Sequence, residues 1–178
     1  MKSLSIEQIS NFSMSAYFQT VVGLLGRPRQ FFSDLPDSMD IRHALGFLTV
    51  SAIFSTAAGL INTKSSSPLI AAGLYLINAF GMVFILSGLG YAVMVLSIGK
   101  KIVFARVFII YALASSATLL VSWVPYLLVI TEPWKWWLIG IGMVKACRLK
   151  LGQSIGIISL SLAIWILLFW SLIPLTMH

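Results

Sequence analysis

Charged side chains are scarce in this sequence. They make up 10% of its 178 residues, whereas a soluble domain averages about 25%. Hydrophobic residues account for 59% of the chain, so the polar side chains are too few to cover a globular surface, and much of the outer face must contact lipid. We therefore expect one all-α domain, a polytopic transmembrane helical bundle.

Cysteine, histidine and acidic residues are also few, and their scarcity excludes several kinds of site. The single Cys147 excludes an intrachain disulfide and a cysteine-rich metal centre, and His43 and His178 are too few for a metal cluster. The five acidic residues are Glu7, Asp34, Asp37, Asp40 and Glu132. All five lie at predicted surfaces, and no zinc-protease helix, P-loop or nucleophile elbow is present. We expect no enzyme, cofactor site or metal site.

Four long stretches without Asp, Glu, Lys, Arg or His predict membrane-spanning helices. They are Ala44 to Ile61, Leu69 to Gly99, Val107 to Thr131 and Leu151 to Met177. About 20 residues at 1.5 Å each cross a hydrocarbon core that is about 30 Å thick. The third stretch is a span only if Pro125 falls near its end. The second is longer than a bilayer requires, so it should tilt or begin in the interface.

A fifth and weaker span is predicted from Pro133 to Cys147. It is short and contains Lys135 and Lys145, but both could extend to opposite surfaces from a helix that begins at Pro133. A re-entrant hairpin that includes residues 125–131 is the alternative. The predicted spans are about 42–62, 75–98, 104–124, 133–148 and 152–175, within a five-span domain of residues 41–178.

The basic residues predict the orientation, because cytoplasmic loops are enriched in Lys and Arg. Ten of them fall on the side of the N-terminus: Lys2, Arg27, Arg29, Arg42, Lys100, Lys101, Arg106, Lys145, Arg148 and Lys150. Only Lys64 and Lys135 fall opposite. Tryptophans, which prefer membrane interfaces, flank the predicted outer turn: Trp123, Trp134, Trp136 and Trp137. The N-terminus is therefore predicted to be cytoplasmic and the C-terminus outside.

Residues 1–40 are predicted to form a cytoplasmic amphipathic segment that lies along the inner membrane surface. Apolar residues between Phe12 and Leu25 recur at helical spacing. Gly26 fits the end of one helix, and Pro28 fits the first position of a second helix that reaches Leu35. Asp37 or Ser38 is expected to cap the helix that enters the first span.

The spacing of Pro28, Phe31, Phe32 and Leu35, just before a first span, resembles the Pro-x-x-Phe-Phe-x-x-Leu element of bacterial members of the Yip family. The family's eukaryotic members are Rab-interacting Golgi membrane proteins. Further similar elements are Gly99-Lys100-Lys101, Tyr111 with Ala114-Ser115-Ser116, Val124-Pro125, and Trp134 to Gly142. The chain lacks the long cytosolic N-terminal region and the Tyr-Gly-Tyr-Ser-type motif of the eukaryotic members. The resemblance therefore implies a bacterial plasma (inner) membrane protein, with a GTPase partner expected only through the resemblance.

The candidate contact residues stand in the predicted inner turns and in the Yip-like element. They are Arg27, Pro28, Arg29, Phe31, Phe32, Lys100, Lys101, Arg106, Lys145, Arg148 and Lys150. Such a surface can bind anionic lipid or an acidic partner, although membrane orientation alone explains the charges equally well. Because these charges stand in short turns rather than on one helix face, we expect no nucleic acid partner.

Small residues at four-residue spacing predict close helix packing. They are Ser51, Ser55 and Gly59 in the first span, and Gly152 and Gly156 in the last. Packing within one chain is the expectation. The alternative is that one such face, most plausibly that of Gly152 and Gly156, contacts another subunit.

The sequence thus favours a non-enzymatic membrane scaffold or adaptor whose partners are membrane lipids and a protein or a second copy of the chain. One alternative is a transporter or channel for a neutral or lipidic substrate, with a discontinuous helix near Pro125 to Trp137. A third interpretation is an accessory subunit of a larger membrane complex.

Overall fold

The computed structural model describes residues 14–62, 67–99, 102–122 and 124–176. These residues form seven α-helices: α1 (Met14–Gly26), α2 (Pro28–Ser33), α3 (Ile41–Asn62), α4 (Pro68–Ile98), α5 (Phe104–Ser122), α6 (Leu128–Ala146) and α7 (Leu151–Thr176). A 3₁₀ turn, Pro125–Leu127, precedes α6. No strand occurs in the described ranges, which confirms the all-α class.

Four of the described helices, α3, α4, α5 and α7, are long and apolar enough to cross a membrane. They overlap the four uncharged stretches of the sequence, although the third stretch also includes the 3₁₀ turn and the first four residues of α6. Of the four, α4 and α7 leave the largest share of their side chains outside the protein core. Their exposed residues are large and apolar, including Leu74, Ile77, Ile85, Ile155 and Leu167. Such surfaces are unfavourable in water and are those of an integral membrane protein.

Helix α5 is the centre of the bundle. Every residue from Val107 to Thr118 is buried, and the helix packs against α3, α4 and α6. The buried hydroxyls of Ser116 and Thr118 donate to the carbonyls of Ala112 and Ser115, at 2.6 and 3.0 Å. Hydroxyls that bond within their own helix can be buried without a partner on another helix.

The five helices from α3 to α7 alternate in direction. The ring of Tyr91, late in α4, lies 5.5 Å from that of Phe104 at the start of α5. Late in α6, the carbonyl of Gly140 accepts a hydrogen bond of 3.1 Å from Ser154, near the start of α7. The end of α4 therefore lies beside the start of α5, and the end of α6 beside the start of α7.

Helix α6 begins at Leu128, so the predicted helix start at Pro133 is wrong by five residues. Pro133 stands inside the helix. A proline at this position removes the hydrogen bond to the carbonyl of Val129, and its ring crowds that carbonyl, at a cost of about 3 kcal/mol. Pro125 lies beyond the end of α5 at Ser122. The third predicted span required that Pro125 fall near its end and not inside it, and the structure meets this condition.

Helix α4 is continuous over 31 residues and is about 46 Å long at 1.5 Å per residue, more than the hydrocarbon core requires. It ends at Gly99, whose φ of 65° places it in the left-handed region. An amino acid without a Cβ adopts this conformation without strain, which is why glycine ends many helices.

The two short helices pack on the bundle. Gly26 ends α1 and Pro28 begins α2, as predicted, although α2 stops at Ser33. On α1, the Tyr17 hydroxyl lies 2.8 Å from the Ser51 hydroxyl of α3. Ser51 follows the first residue of α3 by ten positions, about 15 Å along the helix. Part of α1 therefore lies beside the first half of α3.

Asp40 caps the start of α3. Its Oδ1 accepts a hydrogen bond of 3.1 Å from the backbone N–H of Arg42. The prediction that Asp37 or Ser38 caps this helix is wrong, because residues 36–39 form a turn closed by the N–H of Met39 and the carbonyl of Pro36. The helix accordingly begins only at Ile41.

The small residues of α3 face neighbouring helices. Ser51 is fully buried, and the Ser55 hydroxyl lies 3.4 Å from that of Ser122 on α5. Gly59 faces the ring of Tyr75 on α4. Gly152 and Gly156 differ, since both are exposed and a Cβ on either would meet no atom within 4 Å.

Candidate functional site

One end of the bundle, where α3, α5 and α7 begin and α4 and α6 end, carries most of the charge. We call it the basic end. Its basic residues in the described ranges are Arg27, Arg29, Arg42, Arg106, Lys145, Arg148 and Lys150, and its acidic residues are Asp34, Asp37 and Asp40. At the opposite end, the described ranges hold only Glu132 and Lys135, which form an ion pair of 2.6 Å.

Five candidate residues form an exposed basic surface at this end: Arg27, Arg29, Lys145, Arg148 and Lys150. Arg27 and Arg29 adjoin α2, and the other three flank the connection between α6 and α7. Because α2 packs against α6, the two groups of charges lie on neighbouring elements. Several predicted residues lie outside the described ranges: Lys2, Lys64, Lys100, Lys101 and Trp123.

The Yip-like element turns inward. Pro28 and Phe32 are buried, and the Phe32 ring packs over Gly142 of α6, where a Cβ would come within 3.2 Å of it. Phe31 is half-buried, and its ring packs against Gly23 of α1. These side chains attach the short helices to the bundle, so α2 presents its arginines and not its aromatic rings to the surroundings.

Arg106, near the start of α5, fastens the segment that precedes α3. Its Nη1 donates to the carbonyl of Pro36 at 2.5 Å, and its Nη2 donates to that of Leu35 at 3.0 Å. Nη2 also lies 3.1 Å from Asp37 Oδ1. The Arg106 side chain is 13% exposed and that of Asp37 is 87% exposed. We therefore treat Arg106 as a fixed internal cation and leave it out of the exposed basic surface.

Arg148 follows the end of α6 in a conformation that favours glycine. Its φ is 52°, and for residues with a Cβ the left-handed region costs roughly 1–2 kcal/mol. This backbone reverses the chain between α6 and α7, while the N–H of the preceding Cys147 bonds to the carbonyl of Met143 at 3.2 Å. The strained backbone of Arg148 thus places its own guanidinium group at the basic end.

Replacement of Arg148 by glycine should raise the free energy of unfolding by about 1 kcal/mol, because glycine adopts a positive φ without steric cost. Thermal unfolding in mild detergent, followed by tryptophan fluorescence, measures the change. Arg148→Val is the matched control and should destabilise, since a β-branched residue is least tolerated at positive φ. Equal stability of the glycine and valine variants would contradict the strain.

A cleft of about 360 Å³ opens at the basic end. Three chain segments form it: the turn before α3, the start of α5 and the end of α6. Its walls are mainly apolar, with Met39, Ile102, Val103, Ala105, Ile109, Ala146 and Cys147, and its charged groups are Asp37, Arg106 and Arg148. We call it the basic-end cleft.

The charged groups and the apolar walls of the basic-end cleft lie side by side. Within the described ranges, no group of three His, Cys, Asp or Glu side chains could hold a metal ion. Guanidinium groups beside apolar walls are suited to a ligand that carries both an anionic group and a hydrocarbon part.

The sequence placed Arg106 and Arg148 among the candidates but did not reveal the cleft. A signal for Arg106 existed, because a cation within the first turn of a predicted span needs a partner. No comparable signal identifies the apolar wall, since Ile102 and Val103 are ordinary residues for the start of a span.

No protein-family model, curated protein or solved structure matches the chain. The resemblance to the Yip family therefore depends only on the residues given above.

Proposed function

We propose that this chain is a non-enzymatic, multi-pass membrane scaffold that resembles the Yip family and holds protein partners or lipids at the inner surface of a bacterial plasma membrane. The observation that carries the proposal is the distribution of charge. Seven basic and three acidic side chains stand at one end of the described bundle, and a single ion pair stands at the other. An end enriched in Lys and Arg is the cytoplasmic end under the positive-inside rule.

The proposal includes α6 as a fifth span, with the N-terminus inside and the C-terminus outside. Its 19 residues measure about 28 Å, close to the thickness of the hydrocarbon core. Glu132 and Lys135, the fifth and eighth residues of the helix, pair with each other, and Lys145 stands in its last turn. The charged pair inside the helix therefore carries no net charge, and the remaining lysine lies at the helix end. Its direction, opposite to those of α5 and α7, supports the same topology.

The exposed basic surface supplies the contact for a partner. Each Lys or Arg near a membrane surface attracts anionic lipid with about 1 kcal/mol, so several such groups can bind acidic headgroups or an acidic protein segment. A GTPase remains a candidate through the Yip resemblance alone. The exposed glycines of α7, Gly152 and Gly156, leave a helix face open to another subunit.

No feature of α6 favours the transporter alternative. That interpretation needs a discontinuous helix near Pro125 to Trp137, but the helix runs without interruption from Leu128 to Ala146. The unbroken burial of α5 from Val107 to Thr118 fills the middle of the bundle with side chains.

The test is recovery of partners through a tag on the N-terminus of the full chain in a mild detergent, with mass spectrometry of bound proteins and lipids. The variant neutralises the members of the exposed basic surface other than Arg148: Arg27→Gln, Arg29→Gln, Lys145→Gln and Lys150→Gln. We expect recovery of an acidic partner or anionic lipid to fall by roughly tenfold or more, since each charge contributes about 1 kcal/mol.

The matched control neutralises the opposite end with Glu132→Gln and Lys135→Gln, and it should retain the partner. Equal recovery from the native chain and the fourfold variant would refute the scaffold proposal, as would robust catalytic turnover by the purified protein.

A further inference from the structure

The basic-end cleft combines two chemistries in one depression. Arg106 and Arg148 contribute positive charge, and Met39, Ile102 and Val103 contribute apolar wall. We propose that the cleft binds one anionic phospholipid, with its phosphate at the Arg148 guanidinium and the first acyl carbons against Ile102 and Val103. The inference deepens the proposed function, on whose membrane orientation it rests, by naming a ligand class and a defined site.

In the proposed orientation, the cleft lies at a depth in the membrane where a phospholipid headgroup would be found. Its three segments are the ones that connect apolar helices at the end of the bundle, so the cleft stands where the hydrocarbon core meets the headgroup region. Val103 is apolar and 71% exposed, which is unfavourable in water and favourable beside acyl chains. A phospholipid at this depth can place its phosphate and its hydrocarbon against matching walls.

The size of the cleft limits which part of the lipid enters it. A volume of about 360 Å³ is near the lower limit of small-molecule sites, which span about 300–1,000 Å³. The glycerophosphate group and the first few acyl carbons fit such a volume, while the rest of the tails remain in the bilayer. The site therefore contacts the glycerophosphate group and holds the lipid beside the bundle.

Arg106 provides a fixed positive charge beside this site. Its Nη groups are held by the carbonyls of Leu35 and Pro36, so the guanidinium position is set before a ligand arrives. The neighbouring carboxylate of Asp37 is 87% exposed, and a pair with one exposed partner is weak because water and salt screen it. A phosphate can replace Asp37 as the nearby anion at little cost.

Arg148 is the residue assigned to direct contact. It lines the cleft and is exposed, and the chain keeps this arginine at a position where glycine would fit with less strain. Residues retained in costly conformations often serve a site. The guanidinium group can donate two parallel hydrogen bonds to one phosphate, which an ammonium group cannot do.

Native mass spectrometry of the full chain, delipidated in a nonionic detergent, tests the proposal. The probes are phosphatidylglycerol, phosphatidylcholine, glycerol 3-phosphate and inorganic phosphate, each added separately. We expect one phosphatidylglycerol per chain to bind more tightly than any other probe. Stronger binding of either soluble phosphate would show a site for a free anion and overturn the proposal, as would equal binding of the two lipids.

Two variants test the two walls, each with a matched control. Arg148→Gln removes the charge, and Val103→Trp fills the apolar part of the cleft. Each should weaken phosphatidylglycerol binding by roughly five- to tenfold, as expected for the loss of about one charge contact or its apolar equivalent. The controls Arg42→Gln and Leu151→Trp change exposed residues that do not line the cleft, and they should bind as the native chain does.

A further variant separates loss of lipid binding from loss of folding. Arg148→Gly removes the same charge and relieves strain, so it should be more stable than the native chain and still lose the lipid. Lipid binding that is unchanged in Arg148→Gly overturns the proposal. The fourfold variant used to test the scaffold leaves Arg148 in place. Retained protein partners together with retained phosphatidylglycerol in that variant defeat the scaffold alone. Lost partners in that variant, together with unchanged phosphatidylglycerol binding in Arg148→Gly, defeat the lipid site alone.

Discussion

Replacement of Arg106 by methionine should lower the free energy of unfolding by about 3–6 kcal/mol, because two hydrogen bonds from a charged group are lost at about 1.5–3 kcal/mol each. These bonds join α5 to the carbonyls of Leu35 and Pro36. Methionine keeps most of the apolar stem, so the effect reports on the guanidinium group. Thermal unfolding in detergent measures the stability, and limited proteolysis of residues 34–40 measures the release of the segment.

Asp37→Asn is the control for the ion pair. The Asp37 side chain is 87% exposed, so its loss should change the stability by no more than about 0.5 kcal/mol. Arg106→Lys should fall between native and Arg106→Met, since an ammonium group cannot reproduce the planar fork that reaches both carbonyls. If Asp37→Asn were as harmful as Arg106→Met, the ion pair and not the carbonyl contacts would hold the segment.

Replacement of Gly142 by valine should destabilise the chain by about 3 kcal/mol, the upper part of the usual range for overpacking. A Cβ at this position would collide with the Cγ2 methyl of Ile110 and lie 3.2 Å from the Phe32 ring. Both neighbours are fully buried and have little room to move. The added side chain should push α2 away from α6, which trypsin can detect as faster cleavage after Arg29.

Gly156→Val is the matched substitution on another apolar helix. Gly156 is exposed, and a Cβ there would meet no atom within 4 Å, so the intrachain effect should stay within about 0.5 kcal/mol. Equal losses of stability in Gly142→Val and Gly156→Val would show that the close contact between Phe32 and Gly142 does not determine the cost of the substitution. If Gly142→Val had native stability and unchanged sensitivity to trypsin, the contact between Phe32 and Gly142 would not be what attaches α2 to the bundle.

Local features of the sequence predicted the parts of the fold that depend on nearby residues. The long helices follow from stretches without charge, because only a helix satisfies its own backbone groups in lipid. Gly26 and Pro28 marked the boundary between α1 and α2 because glycine frees the backbone at its own position and weakens a helix there, whereas proline fixes its own φ. The sequence could therefore place the helices but not their partners.

Features that depend on residues far apart along the chain could not be predicted from the sequence. Asp40 caps α3 because the preceding residues are taken up by a turn beside Arg106, which is 66 positions away along the chain. The early start of α6 depends on a 3₁₀ turn that leads into it and overrides the usual preference of Pro133 for a first turn. The basic-end cleft is formed by three segments that are far apart along the chain, and none of these segments alone carries a recognisable motif.

The placement of α1 and α2 gives the molecule unequal cross-sections in the two leaflets. Both short helices pack near the basic end, with α1 beside the first half of α3 and α2 beside the last turns of α6. Of the described helices, the five longer ones continue to the other end. The chain therefore displaces more lipid from the cytoplasmic leaflet than from the outer one in the proposed orientation. Such a wedge fits with least distortion where the bilayer bends so that its cytoplasmic leaflet is expanded, and curvature alone could concentrate the protein at those places.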